Sequence, residues 1–197
     1  MLYLQGLLSL CLQVNLIGAN KMKTLENQTL FLRALEPEDL DFIYQIENDE
    51  TVWEISHTKT PYSRFLIRQY LENAHQDIYE AKQLRFVICL KSNGLPIGMI
   101  DLFDFEPAHQ RAGVGVLIYD KLCRNVGIGS GALALVMQYA QTHLNLHQVY
   151  ANIGADNSAS LALFTKFGFQ EIGLKKQWNL VRGEFKDEAL YQYIFTK

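Results

Sequence analysis

The sequence predicts an α+β domain in which a mixed central sheet is flanked by helices. Three observations lead there. An apolar strand-like run at 114–118 passes through a glycine-rich turn into a strongly helical stretch at 132–140. Two runs with strand character, 85–90 and 97–105, flank a turn at Lys91-Ser92-Asn93-Gly94 and so form an antiparallel hairpin. A further strand at 147–153 follows the long helix, and a helical crossover of that kind makes the two strands it joins parallel.

The remaining elements follow in order. Residues 29–33 alternate enough to make a first strand. Glu36-Pro37-Glu38-Asp39 opens a helix, because proline suits the first turn and acids favour the positive end of the dipole. Leu40, Ile43, Tyr44 and Glu47 continue it at helical spacing. Ser63 is expected to cap a second helix with Leu66, Ile67, Tyr70, Leu71, Ala74 and Ile78 along its buried stripe. In the strand at 112–119, Gly113 and Gly115 weaken a regular ladder. Ser158 is expected to cap a late helix with Leu161, Phe164 and Phe167 on one side, ended by Gly168. The chain finishes with strands at 169–176, 178–181 and 187–195 around a turn at Arg182-Gly183.

A chain of 197 residues with 49% hydrophobic content can bury one sizeable core, so 22–197 is expected to be a single domain. Residues 1–21 are atypical. The leucine-rich stretch there is interrupted by Gln5, Gln13 and Asn15, falls short of a membrane span, and has its first cation, Lys21, behind it. The expected natural start is therefore Met22, with an extension or dispensable helix before it. A net charge of -3 argues against a general affinity for nucleic acid or anionic membranes. Cys11, Cys89 and Cys123 have no paired spacing, and His57, His75, His109, His143 and His147 have no metal-ligand spacing. Neither a disulfide framework nor a metal is expected, and a reducing cytoplasm is the simplest compartment.

The chemistry centres on Arg124-Asn125-Val126-Gly127-Ile128-Gly129-Ser130-Gly131. A strand, a glycine turn and a helix N-terminus in that order make an anion site, because the first helical N–H groups lack partners and the dipole is positive there. Gly127, Gly129 and Gly131 are expected to admit phosphate oxygens to the backbone, with Arg124 as a permanent cation at the mouth. A dinucleotide fingerprint fits Gly127-x-Gly129-x-x-Ala132 but should follow its strand directly, and here 120–126 intervene. A nucleotide P-loop needs a lysine that is missing. The third pattern, [QR]-x-x-G-x-[GA], is matched by Arg124-x-x-Gly127-x-Gly129.

A second stretch decides among them: Asn157-Ser158-Ala159-Ser160-Leu161-Ala162-Leu163-Phe164-Thr165-Lys166-Phe167-Gly168-Phe169. With the first, it resembles the paired signatures of the GNAT N-acetyltransferases. The resemblance implies the acyl-CoA N-acyltransferase fold, with the fourth strand bulged and splayed from the fifth. It implies acetyl-CoA as cofactor, held by 124–131, by the backbone of Val116, Leu117 and Ile118, and by Asn157, Phe164 and Lys166. It also implies direct transfer in a ternary complex, which leaves Cys89 and Cys123 as bystanders. Many relatives carry a tyrosine where this chain has Phe164, and phenylalanine cannot protonate a leaving thiolate. Tyr119 and Tyr150 are alternative acids.

Leu32-Arg33-Ala34-Leu35-Glu36-x-Glu38-Asp39-Leu40 and Gly98-x-x-Asp101-Leu102-x-Asp104 are similar to bacterial spermidine N-acetyltransferases, and ribosomal-protein N-terminal acetyltransferases share much of the pattern. The resemblance favours a small cationic amine as acceptor, a polyamine first and a protein N-terminus second, and a homo-oligomer. A non-catalytic acyl-CoA sensor is the alternative outside the enzyme class. Residues 36–54 hold eight carboxylates and no lysine or arginine. Glu36, Glu38 and Asp39 suit a helix N-terminus; Glu47, Asp49, Glu50 and Glu54 read as an acceptor wall that attracts cations. Trp53 either covers an ammonium or anchors the core. Asp101, Glu47 and Glu54 are all candidates for the general base, and spacing does not choose among them.

Overall fold

The computed structural model describes residues 24–196 except 57 and 75. The leader at 1–21, the expected start at Met22, and Cys11, His57 and His75 lie outside the described residues. Strands β1 (Leu30–Arg33), β2 (Leu84–Leu90), β3 (Pro96–Glu106), β4 (Arg111–Ile118), β5 (Gln148–Gly154), β6 (Gln170–Val181) and β7 (Glu184–Ile194) form one sheet in the order β1-β2-β3-β4-β5-β7-β6. Every pairing in it is antiparallel except β4 with β5.

Helices α1 (Leu40–Glu47), α2 (Glu50–Ser56), α3 (Arg64–Glu72) and α4 (Ile78–Ala81) precede the main hairpin, α5 (Ile128–Thr142) crosses from β4 to β5, and α6 (Ser158–Lys166) follows β5. Among the described residues, two apolar clusters divide the interior. The larger joins α5 and α6 to the sheet through Leu133, Val136, Ala140 and Phe164 against Ile88, Ile100, Val114 and Val149. The smaller gathers Ile43, Ile46, Val52, Ile67 and Leu71 from α1, α2 and α3 around Met99 of β3. Before α1, Arg33 donates from both terminal nitrogens to the two oxygens of Asp39, each at 2.7 Å, and Glu36 N–H donates to Asp39 at 2.8 Å. Asp39 thus ties the turn Pro37–Asp39 to β1, which fits its reading as a helix-start acid.

Several boundaries differ from expectation. Ser63 caps α3, accepting from Leu66 N–H, but the helix ends at the Asn73 cap. Only Ile67 and Leu71 of the expected stripe are buried in α3, because Ile78 belongs to α4, whose cap is Asp77. Asn157, not Ser158, caps α6 by accepting from Ser160 N–H at 3.1 Å. The separate strands expected at 169–176 and 178–181 are one strand, β6, with a register slip between Lys175 and Asn179 where Gln177 takes φ 49°.

The bulge expected in β4 is absent from its pairing with β3, which runs unbroken from Gly98↔Ile118 to Phe103↔Gly113. The shift lies beyond, between Phe103 and Glu106, where Asp104 takes φ 48°. Gly113 serves this hairpin: a Cβ there would lie 2.3 Å from a ring carbon of Phe103. The splay itself is present. Strand β4 pairs with β5 only at Arg111↔Gln148, Ala112↔Val149 and Gly113↔Tyr150, then continues to Ile118 without it. Among the described residues, no helix is long and apolar enough to cross a membrane.

Candidate active site

Past Gly113 the parting strands open a cleft of about 670 Å³. Val114, Val116 and Leu117 of β4 line one wall and Asn152, Ile153 and Gly154 of β5 another. The edge of β4 that faced β5 has lost its ladder there, so its backbone groups are left for whatever enters. Helices α1 and α2 contribute Glu47, Val52 and Glu54 to the cleft, and β6 and β7 contribute Lys175, Trp178, Asn179, Asp187 and Glu188.

Arg85 organises the β3 side. Its Nε and one terminal nitrogen donate to the two oxygens of Asp101 at 2.9 and 2.8 Å, and the other donates to Glu47 Oε1 at 3.0 Å. Two of the three candidate bases are therefore joined by one guanidinium. Burial works against the charge of Arg85, but the attraction and hydrogen bonds of Asp101, and then Glu47, outweigh it and raise its pKa above the ordinary value. The ring of Tyr70 lies 5.7 Å from the guanidinium carbon, and burial raises the pKa of that phenol.

Glu54, the third candidate base, meets Arg182 Nε of the β6–β7 turn at 2.5 Å, yet its buried Oε1 receives no hydrogen bond. The other members of the expected acceptor wall are placed elsewhere. Asp49 accepts from Thr51 N–H at 2.9 Å and from its hydroxyl at 2.7 Å, and these bonds hold its pKa below the usual range. Glu50 is exposed in the first turn of α2, and Trp53 Nε1 donates to the Glu47 carbonyl at 2.7 Å, bracing α2 against the end of α1. Asp49, Glu50 and Trp53 do not line the cleft, whereas Glu47, Glu54 and Asp101 do.

Sequence reasoning missed Glu188. It is 5% exposed, lines the cleft, pairs with Lys175 and accepts from Asn179 Nδ2 at 2.8 Å. Its partners depend on strand register and the slip in β6, neither of which composition reveals. All six lining carboxylates now have a cationic partner: Glu47 and Asp101 share Arg85, while Glu54, Asp156, Asp187 and Glu188 pair with Arg182, Lys186, Lys176 and Lys175.

On the cofactor side, α5 begins at Ile128 after Gly127, whose φ of 90° is left-handed, and no side chain caps it. Gly131 N–H makes an early helical bond, to the Gly127 carbonyl at 2.9 Å. The N–H groups of Ile128, Gly129 and Ser130 come before it, in the turn where a helix has no internal acceptors. Open space surrounds a Cβ built on Gly127, so an anion can approach its backbone. At Gly129 a Cβ would contact Leu163 and Ile118 at 3.6 and 3.9 Å, which places the turn between the end of β4 and α6. These observations fit the diphosphate of coenzyme A.

Gly131 departs from the expectation of phosphate access. A Cβ there would lie 3.0 Å from Leu30 Cδ2 and 3.2 Å from Asn27 Nδ2, so this glycine lets α5 pack closely on β1. Arg124, exposed, donates to the Ile118 carbonyl at 2.8 Å and the Tyr119 carbonyl at 3.4 Å, pinning the loop to the end of β4. Asn125 takes φ 59° and Val126 is exposed. The loop 124–131 and Ile118 lie beyond the lining of the cleft, which on β4 reaches Leu117.

From α6, Asn157, Ser160 and Phe164 line the cleft, and Lys166 is exposed outside it. Phe164 is 3% exposed and packs edge-on against Phe169 at 4.9 Å. Ser160, one turn before it, places a hydroxyl-bearing side chain on the same wall. Of the alternative acids, Tyr150 donates to Asp104 at 3.1 Å, and burial with that carboxylate pushes its pKa up to about 12. Burial also raises Tyr119, and neither tyrosine lines the cleft. Cys89 is fully buried in β2 with its thiol pKa raised by burial; Cys123 sits in the turn Lys121–Cys123. No group of three metal-ligating side chains gathers among the described residues.

A sheet split between two parallel strands, with a glycine-opened helix at the end of the split, is the arrangement that the resemblance to acyl-CoA N-acyltransferases implies. The acetyltransferase (GNAT) domain matches residues 29–170, and the chain belongs to that family as an acetyl-CoA-dependent N-acetyltransferase. It is 27% identical over 164 residues to spermidine N(1)-acetyltransferase of Escherichia coli (strain K12), covering 83% of this chain and 84% of that one. It resembles spermidine N-acetyltransferase from Vibrio cholerae in complex with CoA and spermine, with a TM-score of 0.75, 26% identity, and coverage of 85% and 96%. A dodecameric structure of the Vibrio cholerae enzyme aligns with a TM-score of 0.71 at 26% identity, covering 85% and 95%.

Proposed function

We propose that the acceptor is a small cationic amine, a polyamine such as spermidine first, acetylated on a primary amine by direct transfer in a ternary complex. The observation that carries this is the set of carboxylates, Glu47, Asp101, Glu54 and Glu188, around one cleft at the split. The likeness to spermidine acetyltransferases supports it. Acetyl-CoA supplies an acetyl group activated as a thioester. The turn 127–130 would hold its diphosphate, and Asn157 and the free edge of β4 would hold its amide-rich arm.

The ammonium must lose a proton before its nitrogen can form the new C–N bond. Asp101 or Glu47 takes it, directly or through water, while Arg85 keeps both carboxylates in place. As the C–S bond breaks, the nitrogen gives up its second proton and the sulfur takes one, relayed through the Ser160 hydroxyl or exchanged with solvent, since Phe164 has none to give. An exposed edge on β6, with Ile172, Leu174 and Leu180, supports self-association. The pairing of all six cleft carboxylates with chain cations favours a second reading, a protein N-terminus, which brings one positive charge instead of several.

Thiol release from acetyl-CoA separates the two. Spermidine giving faster release than a short N-terminal peptide supports the first reading; the reverse order supports the second. No release with any amine defeats both.

A further inference from the structure

Lys175 of β6 and Glu188 of β7 stand opposite each other in register, and alone they would be an ordinary cross-strand pair. Their surroundings add more. The slip between Lys175 and Asn179 brings two side chains of one strand onto the same carboxylate: Lys175 Nζ reaches Oε1 and Asn179 Nδ2 donates to Oε2 at 2.8 Å. Lys175 Nζ also donates to Asn152 Oδ1 at 3.0 Å and lies 4.9 Å from the centre of the Trp178 ring. A carboxylate, an amide oxygen and an indole face are what recognise an alkylammonium. All of these residues line the cleft, and the Glu188 side chain is only 7% exposed.

We propose that Glu188, Asn152 and Trp178 form a subsite for a second ammonium of the acceptor, and that Lys175 fills it until the acceptor arrives. The inference rests on the reading of the acceptor as a cationic amine. A lysine suits the task because its ammonium ends a flexible stem that can leave toward solvent, and β6 is the exposed edge of the sheet. Binding then exchanges one ammonium for another at Glu188, so the carboxylate is never left buried and unpaired. Only an acceptor with two or more ammonium groups can react at one end and displace Lys175 with the other. A monoamine gains nothing from the exchange, so the lysine acts as a filter for polyamines.

Calorimetric binding of spermidine and of butylamine to the full chain, without acetyl-CoA, tests this in Lys175→Met, Lys175→Arg and Glu188→Gln. Lys175→Met is expected to tighten spermidine about fivefold or more and butylamine by clearly less, because a single ammonium cannot hold both ends of the cleft, while Lys175→Arg stays near the parent. Glu188→Gln, which keeps the size but loses the charge and one of the two acceptor oxygens, is expected to weaken spermidine by about tenfold. Unchanged or weaker spermidine binding in Lys175→Met overturns the proposal, as does an equal change for butylamine. Should Lys175→Met fail to fold, undiminished spermidine binding by Glu188→Gln overturns it alone. Tightening in Lys175→Met without acetylation of any amine leaves the subsite standing and removes the proposed function; spermidine turnover with no change in binding does the reverse.

Discussion

Arg85 and Asp101 face each other across β2 and β3 as register partners, and two parallel N–H···O contacts at 2.9 and 2.8 Å lock them together. A fork of this kind fixes orientation as well as charge. Because the third arm of the guanidinium holds Glu47, the sheet also fixes where α1 ends. These three charged groups are thus mounted on two strands and a helix instead of on loops.

Replacing that guanidinium removes one cation from two largely buried carboxylates. Arg85→Leu is expected to lose about 3 kcal/mol of stability, the usual scale for breaking a buried pair from one side. Urea denaturation at neutral pH measures it, and a loss below about 0.5 kcal/mol, as for an exposed pair, contradicts the assignment.

Asp39 predicts an acid-sensitive step. Burial opposes its ionisation, but hydrogen bonds from Arg33 and Glu36 N–H prevail and hold its pKa below the ordinary value. A depressed carboxylate stabilises the fold above its unfolded pKa of about 3.9, and that contribution is lost as pH falls through the folded value. Asp39→Asn should therefore be less stable than the parent at pH 7, with the gap closing under acid. Thermal midpoints between pH 7 and pH 3 check this; a gap that widens on acidification contradicts it.

The two ends of the glycine turn should behave differently. Gly131→Ala meets Leu30 and Asn27 and is expected to cost about 1–2 kcal/mol in stability with little change in KM for acetyl-CoA. Gly127→Ala meets nothing but must hold φ 90°, at a cost of about 1–2 kcal/mol, and crowds the amide turn. Its signature is a raised KM for acetyl-CoA. Denaturation curves and steady-state kinetics on the pair distinguish packing from ligand contact.

For the sulfur, Phe164→Tyr should leave kcat unchanged or higher, because it adds a donor to a residue already lining the cleft. Ser160→Ala should lower kcat by about 10²-fold if its hydroxyl supplies the proton. Thiol release under saturating substrates reports both. A large loss in Phe164→Tyr means that the ring serves packing against Phe169, and full activity in Ser160→Ala assigns the proton to solvent.

Local signals carried much of this architecture. The runs that became β2, β3 and β4 were readable from residue type and turns, and α5 from propensity and its glycine start. The end of α3 was not, because Ile78 continues the apolar spacing although Asn73 and Asp77 break the chain into separate helices. Of the candidate site, the contiguous stretches 124–131 and 157–164 stood out in the sequence; Asn157, Ser160 and Phe164 line the cleft, and 124–131 lies beyond its lining. The site was hidden where partners meet across the sheet: Arg85 reaches Glu47 and Asp101 from distant segments, and Glu188 depends on a one-strand irregularity at Gln177. Of the wall expected from Glu47, Asp49, Glu50 and Glu54, Glu47 and Glu54 reach the cleft, while Asp49 is spent on its own helix start.

With β4 and β5 joined over just three residue pairs, the sheet consists of two leaves that share a short spine. Amide exchange should register those leaves as separately opening units, since few rungs couple them. A molecule wedged between their free margins would bridge both leaves and slow exchange in each, so occupancy would become readable far from the point of contact.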